Sequence, residues 1–202
     1  MGEAQLFSQT GNAFISVVGS IAPDQWQAAG LGVWDVRGLV GHTARAMLTV
    51  ENYLQADEPG VISIPDAETY YTTVFEQYTD HESVAARGVE AGAWLGDNPV
   101  EKLVDLHERT DALIAEQPPG RLVSIGGMGI TLDEYLRSRI FELVVHTMDL
   151  CLATGLPHQL PQAAVSDSAA LAARIAVAKG KGRDILFALT GRGQLPEGFS
   201  IV

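Results

Sequence analysis

Cysteine is nearly missing from this chain: Cys151 is the single one in 202 residues, so no internal disulfide can form. It follows Leu150 on an apolar helical stretch, where a thiol serves as a small buried hydrophobe. A reactive thiolate would need a partly exposed, electropositive setting. Any thiol chemistry must therefore draw its thiol from outside the chain. Basic charge is also scarce. With 13 Lys and Arg against 25 Asp and Glu, a net charge of −12 and no Lys/Arg cluster, a phosphate backbone or an anionic bilayer is excluded as a partner. No apolar run approaches the ~20 residues needed to cross a membrane. The opening Met1-Gly2-Glu3-Ala4-Gln5 lacks the basic start of a secretory signal, so a cytoplasmic location is expected. Few β-branched runs stand among many Ala, Leu, Glu and Gln residues, and an all-α fold is expected.

The apolar spacing predicts a first helix over Gln5 to Ile21, ended by Pro23. A second runs from Val36 to Gln55 with Asp35 as its N-cap. His42 lies in its second turn between Gly41 and Thr43, read either as a satisfied core histidine or as a ligand reaching inward. Gly38 and Gly41 each weaken a helix by roughly 1 kcal/mol relative to Ala, which implies close approach of another backbone or a bound group. A third helix is expected over Ala67 to Glu90, with Tyr70, Tyr71, Val74, Phe75 and Tyr78 toward the core, and a fourth from Pro99 to about Glu116. Within the fourth, His107-Glu108-Arg109-Thr110-Asp111 lacks the second histidine of a zinc-protease motif and reads as a solvated face. His81 and His158 are expected to be exposed. Arg121 to Ile130, around Gly126-Gly127, is compatible with a short hairpin. After Pro161, further helices are expected over Ala163 to Lys179 and Asp184 to Thr190.

Between the hairpin and Pro161 lies the segment that carries the chemistry. Thr131 and Glu134 form a capping box that opens a helix closed by Gly155. On it, Glu142 and His146 stand one turn apart and can reach one point. Tyr135, Arg139 and Asp149 share their stripe, beside an apolar arc of Leu136, Ile140, Leu143, Val144 and Leu150. A carboxylate and an imidazole next to that arc are costly to desolvate unless compensated, and a divalent cation compensates both. A solvated i,i+4 pair is the other reading, and a metal site needs a third ligand.

Three motifs, Trp34-Asp35-Val36-Arg37-Gly38-Leu39-Val40-Gly41-His42, Arg139-Ile140-Phe141-Glu142-Leu143-Val144-Val145-His146-Thr147-Met148-Asp149-Leu150 and Leu189-Thr190-Gly191-Arg192, stand in an order and spacing that resemble the N-terminal domain of mycothiol-dependent maleylpyruvate isomerases. These belong to the DinB/YfiT-like metalloprotein superfamily. The resemblance implies an up-and-down four-helix bundle with extra short helices, in one domain over residues 1–202. The bundle core would span about residues 4–155 and a C-terminal helical extension 156–202. It further implies a divalent metal, zinc or else nickel, held by His42, Glu142 and His146 with an open position. Arg139 and Asp149 are then expected to orient His146 or to contact an anionic group.

What the resemblance implies for function is a metal-dependent S-transferase or isomerase that uses a low-molecular-weight thiol, of the mycothiol or bacillithiol type, on a small electrophile. Isomerases of that family carry a further C-terminal domain, whereas about fifty residues follow Leu150 here, which favours the broader thiol transferase. Two other functions stand beside it. One is a hydrolase working through a metal-bound water, which would turn over esters or amides without thiol. The other is a non-catalytic stress or ligand-binding protein with a closed metal shell that forms a homodimer through its bundle faces.

Overall fold

The computed structural model describes residues 2–74 and 81–201. Its elements, in order, are α1 (Glu3–Val18), α2 (Val36–Gln55), α3 (Ala67–Thr69) running into a π-helical turn (Tyr70–Val74), α4 (His81–Trp94) and α5 (Pro99–Ala115). A hairpin of β1 (Leu122–Ile125) and β2 (Met128–Thr131) follows, then α6 (Leu132–Thr154), α7 (Gln162–Ala178) and α8 (Gly182–Leu189).

Four of these make the expected bundle. Helix α6 packs against α1 and α2, and α5 closes the ring against the same two. Phe7, Phe14, Leu39, Met47, Leu103, Leu106, Leu136 and Leu143 are fully buried between them, each contributing about 1.5–3 kcal/mol by leaving water. Helix α4 lies on the outer side of α2, α7 lies on α6, and α8 on α7. Among the described residues no helix is long and apolar enough to cross a membrane.

The caps fall where the sequence puts them. The Asp35 carboxylate accepts from Gly38 N at 2.7 Å, and Thr131 Oγ1 accepts from Glu134 N. Glu134 does not complete its box by reaching back; it accepts from Ala67 N at 2.9 Å and so ties α3 to the start of α6. Gly155, with φ +71°, ends α6 in the left-handed region. Gly126 and Gly127, both at positive φ, form the two-residue turn that pairs Leu122 with Thr131 and Ile125 with Met128.

Two expectations are corrected. The segment expected as one helix over Ala67 to Glu90 has two described pieces with different packing: α3 and its π turn lie against α7, and α4 against α2. Phe75 and Tyr78, expected toward its core, fall outside the described residues, as does the side chain of His81; His158 is exposed, as expected. The second correction concerns the charged run of α5, whose His107 and Thr110 are buried. His107 Nε2 lies 2.9 Å from the Ser8 carbonyl, and a Cβ on Gly11 would come within 2.6 Å of its ring. Arg109 Nε donates to Glu51 Oε1 at 2.7 Å. The run is a polar seam that fastens α5 to α1 and α2, because its i,i+3 positions face the bundle while Glu108 stays in water.

The glycine pattern of α2 has the cause inferred for it. A Cβ on Gly41 would sit 2.1 Å from Gly92 N, so the α2 and α4 backbones meet there with no room for a side chain. Gly88 is constrained in the same way, since its Cβ would lie 2.5 Å from the Trp34 indole nitrogen. This seam fixes the ring that covers His42.

Candidate metal centre

His42 on α2 and Glu142 and His146 on α6 meet across the interface of the two helices. One potential ligand atom from each lies within 4.8 Å of the other two. The α2 histidine is thus close enough to serve as the third ligand that the Glu142 and His146 stripe lacked.

Each of the three is held from outside the cluster. The His42 ring stacks on Trp34, with centroids 4.3 Å apart and planes 26° from parallel, and meets the His146 ring edge-on at 4.7 Å. Trp34 is fixed in turn by donating its indole N–H to Ala85 O at 2.9 Å. His146 Nε2 lies 3.2 Å from Glu142 Oε2, and its Nδ1 lies 3.0 Å from Asp149 Oδ2. That second contact presents Nε2 toward the cluster, the arrangement by which a carboxylate sets the orientation of a ligating imidazole. Glu142 Oε1 accepts from the Tyr71 hydroxyl at 2.7 Å, and Tyr71 is fully buried on the π-helical turn. Turns of this kind are rare and concentrate at functional sites.

Charge is distributed unevenly within the cluster. Burial, then the neighbouring His146 charge, push the His42 pKa down to about 4, leaving it neutral. Its Nδ1 is buried with no hydrogen-bond partner among the described residues, a position that costs about 1–3 kcal/mol unless something accepts the lone pair. Burial works against a charge on His146 too, but hydrogen bonds to Asp149 and Glu142 outweigh it and raise the pKa to about 9. For Glu142 burial would raise the pKa, and the His146 hydrogen bond and the Arg139 charge reverse this and bring it down to about 2. Two imidazoles, one already neutral, and an ionised carboxylate form a donor set suited to a divalent cation with a further open position.

The two remaining expected site residues divide. Asp149 contacts His146 directly. Arg139, 8% exposed, makes no contact with His146; it donates to Tyr70 Oη at 3.1 Å and Ser138 Oγ at 3.1 Å, with its guanidinium over the Tyr70 and Tyr135 rings. It lines a cavity of about 590 Å³ that also opens on His42, Glu142 and His146. Trp34, Tyr71, Arg45 and Arg87 belong to this surrounding as well, and no spacing in the sequence assigns them to it. Trp34 stands in the first motif, and Tyr71 in an aromatic stripe indistinguishable from core. Cys151 is buried, and burial raises its thiol pKa, so it supplies no nucleophile.

A helical bundle with a His/Glu/His cluster bridging two of its helices has the arrangement of a DinB-like bundle with a candidate metal site. The family is narrower. The model of the mycothiol maleylpyruvate isomerase N-terminal domain matches residues 7–151, and the chain belongs to that family. No curated protein matches the chain, and neither does any solved structure.

Proposed function

We propose that His42, Glu142 and His146 bind a divalent cation, zinc being the best fit to the donor set with nickel next, and that the protein is a thiol-dependent S-transferase or isomerase acting on a small electrophile. The observation that carries the reading is the convergence of one potential ligand atom each from His42, Glu142 and His146 within 4.8 Å of one another. When bound, such a cation lowers the pKa of a thiol placed at its open position. Family membership supports mycothiol as the thiol class, and the buried Cys151 favours an external cofactor in that role.

The chain's own groups do the remaining work in this reading. Asp149 accepts the His146 Nδ1 proton and holds Nε2 toward the cluster. Tyr71 donates to Glu142 Oε1 and leaves Oε2 free to ligate. Trp34 shields one face of His42 from water. Tyr70, Tyr135 and Arg139 shape the cavity in which the electrophile lies beside the thiol. We assign residues 4–155 to the metal-binding bundle and 156–202 to a helical extension of the same domain, in a cytoplasmic protein.

The test is a turnover assay on zinc-loaded protein with mycothiol and monochlorobimane as model electrophile, run beside p-nitrophenyl acetate without thiol. Thiol-dependent conjugation that His146→Ala abolishes is the expected result. Ester hydrolysis with no thiol requirement would move the assignment to a hydrolase.

A further inference from the structure

The cavity beside the cluster carries positive charge that the proposed reaction does not use. Arg45 of α2, Arg87 of α4 and Arg139 of α6 all line it, and among the described residues Glu142 is the sole carboxylate in its lining. This happens in a chain with 13 basic against 25 acidic residues. Of the seven arginines outside the cavity, four pair with carboxylates: Arg109 with Glu51, Arg121 with Glu58, Arg137 with Glu134 and Glu68, and Arg174 with Glu68; Arg37 donates to the Gly92 and Gly96 carbonyls, and Arg183 and Arg192 are exposed to water. The three cavity arginines form no such pair among the described residues.

Their other contacts leave donors over. Arg139 spends Nε and Nη2 on Ser138 and Tyr70, Arg87 has a 3.3 Å contact to Ser83 Oγ, and the Arg45 guanidinium has no hydrogen-bond partner among the described residues. Burial first, and then repulsion by Arg87, pull the Arg45 pKa below its ordinary value, with Arg139 adding to the effect. Like charges gathered in a partly dry cavity are unfavourable unless an anion sits among them. Planar guanidinium forks match the oxygens of a carboxylate or a phosphate.

We infer that Arg45, Arg87 and Arg139 form an oxyanion subsite that takes the carboxylate or phosphate end of a small substrate whose other end lies at the His42, Glu142 and His146 cluster. The inference rests on the functional reading for what happens at that other end; anion binding itself requires no metal.

The experiment is calorimetric titration of the full-length, metal-free protein at constant ionic strength with sodium succinate, inorganic phosphate and neutral succinamide. Saturable binding of at least one anion and none of succinamide is expected, with about tenfold weaker binding in Arg45→Gln and in Arg87→Gln. Preference for succinate assigns the subsite to a carboxylic acid, and preference for phosphate to a phosphate ester. A second measurement covers a variant that fails to fold: phenylglyoxal labelling of the wild type, mapped by peptide mass, should slow at Arg45 and Arg87 when the preferred anion is present. Absence of binding by both anions, unchanged binding in both folded variants, or no protection from labelling would overturn the inference. Anion binding in a protein that never takes up metal would leave the subsite standing and remove the metal reading instead.

Discussion

Cation binding should expel one proton at neutral pH, and that proton comes from His146. Hydrogen bonds to Asp149 and Glu142, opposed by burial, hold the His146 pKa at about 9, whereas His42, at about 4, is already neutral and Glu142, at about 2, already ionised. A cation that takes His146 Nε2 must displace that nitrogen's proton and nothing else in the cluster. Affinity should then rise about tenfold per pH unit from pH 6.5 toward 9, and binding at pH 7 should be weaker than its high-pH limit by about 2.7 kcal/mol, or about a hundredfold. A histidine with the ordinary pKa of 6.5 would level off about two and a half units earlier. Titration of zinc into the protein by calorimetry at pH 7, in buffers of different ionisation enthalpy, counts the protons directly. A count near one is expected; a count near zero, or affinity flat above pH 6.5, would refute the reasoning. The same shifts act on the stability of the metal-free protein. The raised pKa of His146 contributes stability that is full below about 6.5 and lost as pH climbs through about 9; the lowered pKa of Glu142 contributes stability present above about 4.5 and lost as pH falls toward 2. This pair therefore stabilises most between those two inner values.

Gly41→Ala should destabilise the protein by about 1–3 kcal/mol or more, because the added Cβ meets the Gly92 backbone, which cannot swing aside; a urea midpoint equal to wild type would contradict the packing of α2 on α4. Tyr71→Phe removes the donor to Glu142 Oε1 and should weaken metal binding about tenfold or more at small cost in stability, measured by competition with a chromophoric chelator. His107→Ala should do the reverse, losing about 2 kcal/mol or more in thermal melts through the contact with Ser8 and the void left beside Gly11 while metal affinity stays unchanged.

The bundle helices were readable because their apolar residues repeat at 3.6 and their ends carry strong signals: Asp35 before α2, Thr131 before α6, Gly155 after it. The Gly126-Gly127 turn was readable for a similar reason, since two adjacent glycines between apolar runs leave few alternatives. Glu142 and His146 could be paired from spacing alone because they share a helix. His42 could not be joined to them that way; it lies a hundred residues earlier, and the resemblance in the Trp34 to His42 motif supplied the link. Tyr71 was legible as a core residue but not as the partner of Glu142, and Arg87 escaped altogether, because both roles depend on how α3 and α4 dock, and nothing in an aromatic stripe or a lone arginine specifies docking. The α5 run misled for a physical reason: a helix face rich in charge can still bury a polar residue whose partner is a backbone carbonyl, as for His107, while the exposed Arg109 reaches across to Glu51 of α2.

The central claim, a cation held by His42, Glu142 and His146, is tested most directly by elemental analysis of untagged wild-type protein beside His42→Ala and Glu142→Ala. Near-stoichiometric zinc or nickel in the wild type, lost in both variants while their helical circular dichroism is retained, is the expected result. Wild-type protein that stays metal-free after incubation with either ion, or variants that retain full occupancy, would contradict it.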